Sequence, residues 1–98
     1  MLSLSPAQHR FLKAKAHALH PVVMVGDSGL TEAVVREADR SLKSHELIKV
    51  KVASDDRRAR EGIMEQLCAA LEAAPVQHIG KILVLYRPAE KPKLVLPQ

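Results

Sequence analysis

Apolar residues recur along this chain at two periods, and the alternation between them predicts the elements. Phe11, Leu12, Lys15, Ala16 and Leu19 fall at helical spacing. The run follows Ser5-Pro6-Ala7-Gln8, which supplies an N-cap, a first-turn proline and a capping-box partner, and Pro21 is expected to stop it. Val22 to Val25 is a continuous apolar run and reads as a buried strand. After Gly26-Asp27-Ser28-Gly29, the residues Leu30, Val34, Ala38 and Leu42 mark one face of a second helix. Leu47 to Val52 alternates, with Ile48, Val50 and Val52 toward the core and Lys49 and Lys51 away from it. Ser54, Asp55 and Asp56 offer caps for a third helix on Ile63, Met64, Leu67, Cys68 and Leu71, which Pro75 is expected to end. Val76 to Ile79 and Ile82 to Tyr86 flank Gly80-Lys81, a two-residue connection with glycine first, as tight hairpins require. The expected order is α-β-α-β-α-β-β. Helical crossovers favour parallel neighbours among the first three strands, and the last hairpin makes the sheet mixed.

Composition narrows the setting. The 98 residues suit one domain, expected over 1–87, with a proline-spaced extended tail over 88–98. Aromatics are 2% of the chain, so the core must be aliphatic and no aromatic platform for stacked bases is available. Lys and Arg outnumber Asp and Glu by 15 to 11, a balance that favours polyanionic partners. Lysines and arginines gather between 49 and 60, and Arg87, Lys91 and Lys93 follow near the tail. A single cysteine, Cys68, excludes an internal disulfide and suits a reducing compartment. No apolar run approaches the ~20 residues that span a bilayer. The expectation is a cytoplasmic protein with no membrane partner.

The glycine loop at 26–29 carries the most specific local chemistry. Two glycines let a ligand approach the backbone, and the helix behind them presents unpaired N–H groups to a phosphate. Asp27 opposes this by repulsion. Gly-Asp-Ser-Gly also resembles the nucleophile surroundings of trypsin-like proteases, but a chain this short cannot form their two barrels and Leu30-Thr31 replaces the expected Gly-Pro. A nucleotide-binding P-loop fails for want of a Lys-Ser/Thr after the second glycine. His9, His17, His20, His45 and His78 form no metal-ligand pattern, and no acid, base or nucleophile set emerges. No enzyme, metal or cofactor is expected.

Several motifs in order resemble the bacterial YhbY-like branch of the CRM-domain family. They are Lys15-Ala16-His17-Ala18-Leu19-His20-Pro21-Val22-Val23, Leu30-Thr31-Glu32 after the glycine loop, His45 to Lys51, and Gly80 to Arg87. The resemblance implies a two-layer α/β fold with a four-stranded mixed sheet, like the C-terminal domain of translation initiation factor three. It also implies RNA binding, with bacterial members associated with precursors of the large ribosomal subunit.

The expectation is therefore a monomeric RNA-binding protein that assists ribosome assembly. Gly26, Asp27, Ser28 and Gly29 would grip the RNA backbone, supported by Lys13, Lys15, Lys49, Lys51, Arg57, Arg58, Lys81 and Arg87. The main rival is a protein–protein adaptor on the ribosome that docks through the apolar tail residues Leu94, Val95 and Leu96. A small-anion-binding or enzymatic domain ranks last.

Overall fold

The computed structural model describes residues 2–98; Met1, first residue of the expected domain, lies outside them. Three helices and four strands follow in the expected order: α1 (Pro6–Ala16), β1 (Pro21–Val25), α2 (Glu32–His45), β2 (Leu47–Val52), α3 (Arg57–Leu71), β3 (Ala74–Ile79) and β4 (Ile82–Tyr86). Each helix begins at a side-chain cap. Ser5 Oγ accepts the Gln8 amide and Gln8 Oε1 accepts the Ser5 amide, closing the capping box. Thr31 caps α2, and Asp56 caps α3 through the Arg58 amide at 3.0 Å.

The strands form one mixed sheet in the order β1-β2-β4-β3. β1 and β2 are parallel, whereas β4 pairs antiparallel with both β2 and β3. Parallel neighbours among the first three strands thus hold only for β1 and β2, because β4 inserts between β2 and β3. The Gly80-Lys81 connection is the expected two-residue hairpin, with Gly80 at φ +55 and Lys81 outside the positive-φ region, the pattern of a type II′ turn.

Two apolar clusters cover the two faces of this sheet. On one face α2 and α3 pack Ala38, Leu42, Met64 and Leu67 against Val23, Val25, Ile48, Val50, Val52, Leu83 and Leu85. On the other, α1 sets Leu12 and Ala16 against Leu47, Val76, Val84 and Tyr86. Alternation along β2 assigns Leu47, Lys49 and Lys51 to this second face, which α1 covers only toward the start of β2.

Three local expectations change, and the anchorage of the extended tail is defined. α1 ends at Ala16, one turn earlier than the periodic pattern implies, and Leu19 lies in the link beyond it, its amide donating to Ala16 O at 2.9 Å. β1 is an edge strand with Val23 and Val25 buried but Val22 and Met24 exposed, so its continuous apolar run does not mean burial on both faces. α3 stops at Leu71, where Glu72 adopts a left-handed conformation, and Pro75 lies within β3; an edge strand tolerates its missing N–H. Finally, the tail is fastened down. Glu46, 2% exposed, accepts the amides of Ala89, Lys93 and Leu94 at 2.8–3.1 Å. Leu94 and Leu96 pack against the α1-side cluster, which leaves only Val95 of the proposed adaptor segment free.

Candidate nucleic-acid interface

The topology brings three connections to one end of the sheet. β1 and β2 are parallel, so the loops that leave their C-terminal ends are neighbours, and the β3–β4 turn reaches the same end because Lys51 pairs with Ile82. Hydrogen bonds tie them together. The Ala53 amide donates to Val25 O at 2.9 Å, and the Val52 amide donates to Lys81 O at 2.8 Å. In open α/β sheets this carboxyl end of parallel strands is where ligands bind.

The glycine loop is open. Its Gly29 amide donates to Gly26 O at 3.0 Å, closing the turn, and Gly29 takes φ +73. A Cβ added at Gly26 or Gly29 would meet no atom within 4 Å, so the surrounding atoms leave space for a ligand to approach the backbone. Thr31 Oγ1 accepts the Val34 amide at 3.2 Å. Among the described residues the amides of Asp27, Ser28, Glu32 and Ala33 have no protein acceptor, and they lie at the favourable end of the α2 dipole. Asp27 and Ser28 are exposed.

At this end of the sheet lie four of the expected cations: Lys51 near the end of β2, Arg57 and Arg58 at the start of α3, and Lys81 in the hairpin turn. Arg57 is directed toward the opposite edge, where it lines a cleft with Pro75 to His78 of β3. Two are already partnered: Arg57 with Glu61 at 3.1 Å and Lys81 with Asp55 at 2.8 Å. Lys81 holds the Asp55 carboxyl below the usual carboxylate range. Lys51 and Arg58 have no carboxylate within 4.0 Å among the described residues, so their charge is uncompensated by a close partner. Lys49 lies on the same sheet face as Lys51, half-buried opposite Val84.

Three expected cations lie apart from this group. Lys13 and Lys15 project from α1, and Lys15 lines a cleft with His45 and Leu47 at the start of β2. That is about 16 Å from the glycine loop along the strand. Arg87 does not join the basic surface. Its guanidinium, 18% exposed, meets the Asp39 carboxylate at 2.9 Å and the carbonyls of Leu71 and Asp39 at 3.0 and 3.1 Å.

Sequence reasoning missed a buried support for the loop end. Arg60, 8% exposed, donates to Ser54 O at 2.9 Å, and its Nε stands 3.2 Å from His78 Nε2, which lies 2.9 Å from Gly80 O. Arg60 thus joins the β2–α3 loop to the hairpin. The signal was present in the helical spacing, since 60, 64, 67 and 71 share one face of α3.

Burial pushes the Cys68 thiol up to about 11, so at neutral pH it is no thiolate nucleophile. Among the described residues no three His, Cys, Asp or Glu side chains converge as metal ligands, and no helix is long and apolar enough to cross a membrane.

Comparison with known proteins agrees with this architecture. The family model for the CRS1 / YhbY (CRM) domain matches residues 4–87. A protein of Haemophilus influenzae named as an RNA-binding protein is 52% identical over 98 residues, spanning 100% of this chain and 99% of its own. A Pseudomonas aeruginosa protein that also carries an RNA-binding name is 42% identical over 91 residues, or 93% of this chain and 88% of its own. The solution structure of a Staphylococcus aureus protein, described as a candidate RNA binder, superposes with a TM-score of 0.85 at 32% identity, covering 97% of this chain and 100% of that one.

Proposed function

The chain belongs to the CRS1/YhbY (CRM) domain family, and from that membership and the geometry of the loop end we propose that it is a non-catalytic RNA-binding protein. Its RNA is ribosomal, in precursors of the large subunit, and it acts as a monomer in the bacterial cytoplasm to assist assembly. The observation that carries the reading is that one end of the sheet holds an open glycine loop together with Lys51 and Arg58, both without close carboxylate partners among the described residues. Phosphates gain backbone hydrogen bonds from the loop and charge neutralisation from the side chains. Few aromatics mean that backbone and helix shape, more than stacked bases, supply the affinity at this end.

The test is filter binding to large-subunit RNA fragments across a salt series. For roughly five phosphate contacts, affinity should fall ~10²–10³ between about 50 and 200 mM salt. A flat response removes the electrostatic mechanism. Crosslinking in cells, followed by sequencing of the attached RNA, tests the ribosomal assignment. Recovery of RNA without enrichment of large-subunit precursors would refute it.

A further inference from the structure

Beyond the loop end, the sheet face shared with α1 carries an exposed apolar strip. It starts in a cleft of about 430 Å³, between the turn after α1 and the start of β2, whose floor includes Ala18, Leu19, Val22 and Leu47. It continues along the edge strand β1 through Val22 and Met24, 47% and 63% exposed, and reaches the glycine loop one residue after Val25. Such a run of large apolar side chains in water points to an occupant.

Charge selects the kind of occupant. The Lys15 ammonium and the imidazoles of His20 and His45, each able to donate an N–H to an anion, line the cleft and no carboxylate does. The nearest acid in sequence, Glu46, has its carboxylate engaged by the tail amides. Lys51 is paired in register with Met24, so one more cation flanks the strip beside β1. A partner that fits therefore offers apolar surface and negative charge together. A paired RNA helix hides its bases and offers little to Val22 or Met24, whereas an unpaired strand presents both bases and phosphates.

We propose that this strip seats an unpaired stretch of the bound RNA, with bases against Leu19, Val22 and Met24 and phosphates toward Lys15, His20 and Lys51. This rests on the RNA-binding reading above and deepens it: the loop grips backbone, and the strip selects RNA in which a single strand adjoins a structured element.

The test uses the full chain and three RNAs in fluorescence anisotropy: a blunt duplex, that duplex with a short single-stranded uridine extension, and the same duplex with an abasic extension of equal length. The two extensions carry equal charge, so their difference isolates the bases. The uridine form should bind about five- to tenfold tighter than the abasic form, the gain expected from partly burying such side chains. Leu19→Ser/Val22→Ser should bring the two within about twofold while duplex affinity holds. Met24→Ser, at the most exposed position of the strip, should reduce the preference in the same direction and serves if the double variant folds poorly. Equal affinity of the wild type for both extensions overturns the inference and leaves the RNA-binding reading standing. Failure to bind any of the three RNAs overturns that reading itself. Without base preference, self-association that the double variant abolishes in sedimentation assigns the strip to a second copy. An acidic apolar peptide bound only by the wild type would assign it to a protein partner. Either result overturns the proposal.

Discussion

Arg87, just beyond β4, and Asp39, on α2, meet at 2.9 Å, and the same guanidinium donates to the carbonyls of Asp39 and Leu71. One side chain therefore fastens the exit of the sheet to α2 and to the last turn of α3. The Arg87 guanidinium holds the Asp39 carboxyl below the usual carboxylate range, with Lys43 adding to the effect. Replacing Arg87 by Ala removes the donor and leaves Asp39 and two carbonyls short of a partner. The expected loss is about 2–3 kcal/mol of stability in urea unfolding. Arg87→Lys should recover only part of it, because an ammonium cannot supply the planar fork. RNA affinity per folded molecule should stay within about twofold, since one largely shielded charge is lost. A loss of salt slope by a full unit would show instead that this arginine contacts phosphate.

Glu46 performs a comparable service for the tail. Burial opposes its charge, but the amides of Ala89, Lys93 and Leu94 outweigh that and hold its carboxyl below the ordinary 4.5. A carboxylate whose folded value is depressed stabilises the protein fully above its unfolded value and loses that contribution as pH falls through the folded one. Tail anchorage should therefore persist from neutral pH down to about 4.5 and weaken below it. Glu46→Gln replaces one acceptor oxygen with a donor and should cost about 2 kcal/mol. The check is amide hydrogen exchange at Ala89, Lys93 and Leu94, which should quicken in the variant at pH 7. Unchanged exchange would mean that apolar packing of Leu94 and Leu96 holds the tail alone.

Much of this fold was legible because its signals are local. The capping box at Ser5 and Gln8, the Gly80-Lys81 turn and the alternation from Leu47 to Val52 each need only a few neighbouring residues, and each occurs where those residues place it. Insertion of β4 between β2 and β3 is a long-range choice that no window of sequence encodes. The open face of β1 was hidden because Pro-Val-Val-Met-Val is apolar at every position, so alternation left no mark. Within the candidate site, the glycine loop could be read directly from its motif. The fate of the cations could not: Arg87 and Lys81 look alike as isolated basic residues, and only tertiary structure brings Asp39 to one and Asp55 to the other.

If Lys51 and Arg58 contact phosphate, their neutralisation should reduce the salt dependence itself. Lys51→Gln and Arg58→Gln should each lower affinity about three- to tenfold at low salt and reduce the slope of log K against log salt by about 0.9. Lys13→Gln, on a helix packed at the other end of the sheet, should do less on both measures. Equal effects from all three would mean that the RNA samples a diffuse cloud of charge and no particular end of the molecule.

Acidic residues near the loop should act in the opposite direction. Asp55 occupies Lys81 at 2.8 Å, and both side chains are substantially exposed, 92% and 47%. Asp55→Asn frees that lysine and removes a charge that repels phosphate, so affinity should rise about two- to fivefold at low salt and converge on wild type at high salt. Asp27→Asn should do the same, since Asp27 is exposed within the glycine loop. Weaker binding by the Asp55 variant would show that the Lys81–Asp55 pair positions the β2–α3 loop for the ligand.

The two glycines of the loop separate folding from binding. Gly29 has φ +73, so any side chain there strains the backbone by about 1 kcal/mol whatever space surrounds it. Gly26 lies outside the left-handed region and also has open space, so Gly26→Ala should leave thermal stability essentially unchanged. What the added methyl does meet is a ligand drawn close to the peptide backbone. Gly26→Val, with two more methyls in the same space, should then weaken RNA binding about tenfold while circular dichroism and melting stay near wild type. Full affinity in both variants would place the RNA backbone away from this turn, and the lysines and arginines would have to hold it by charge alone.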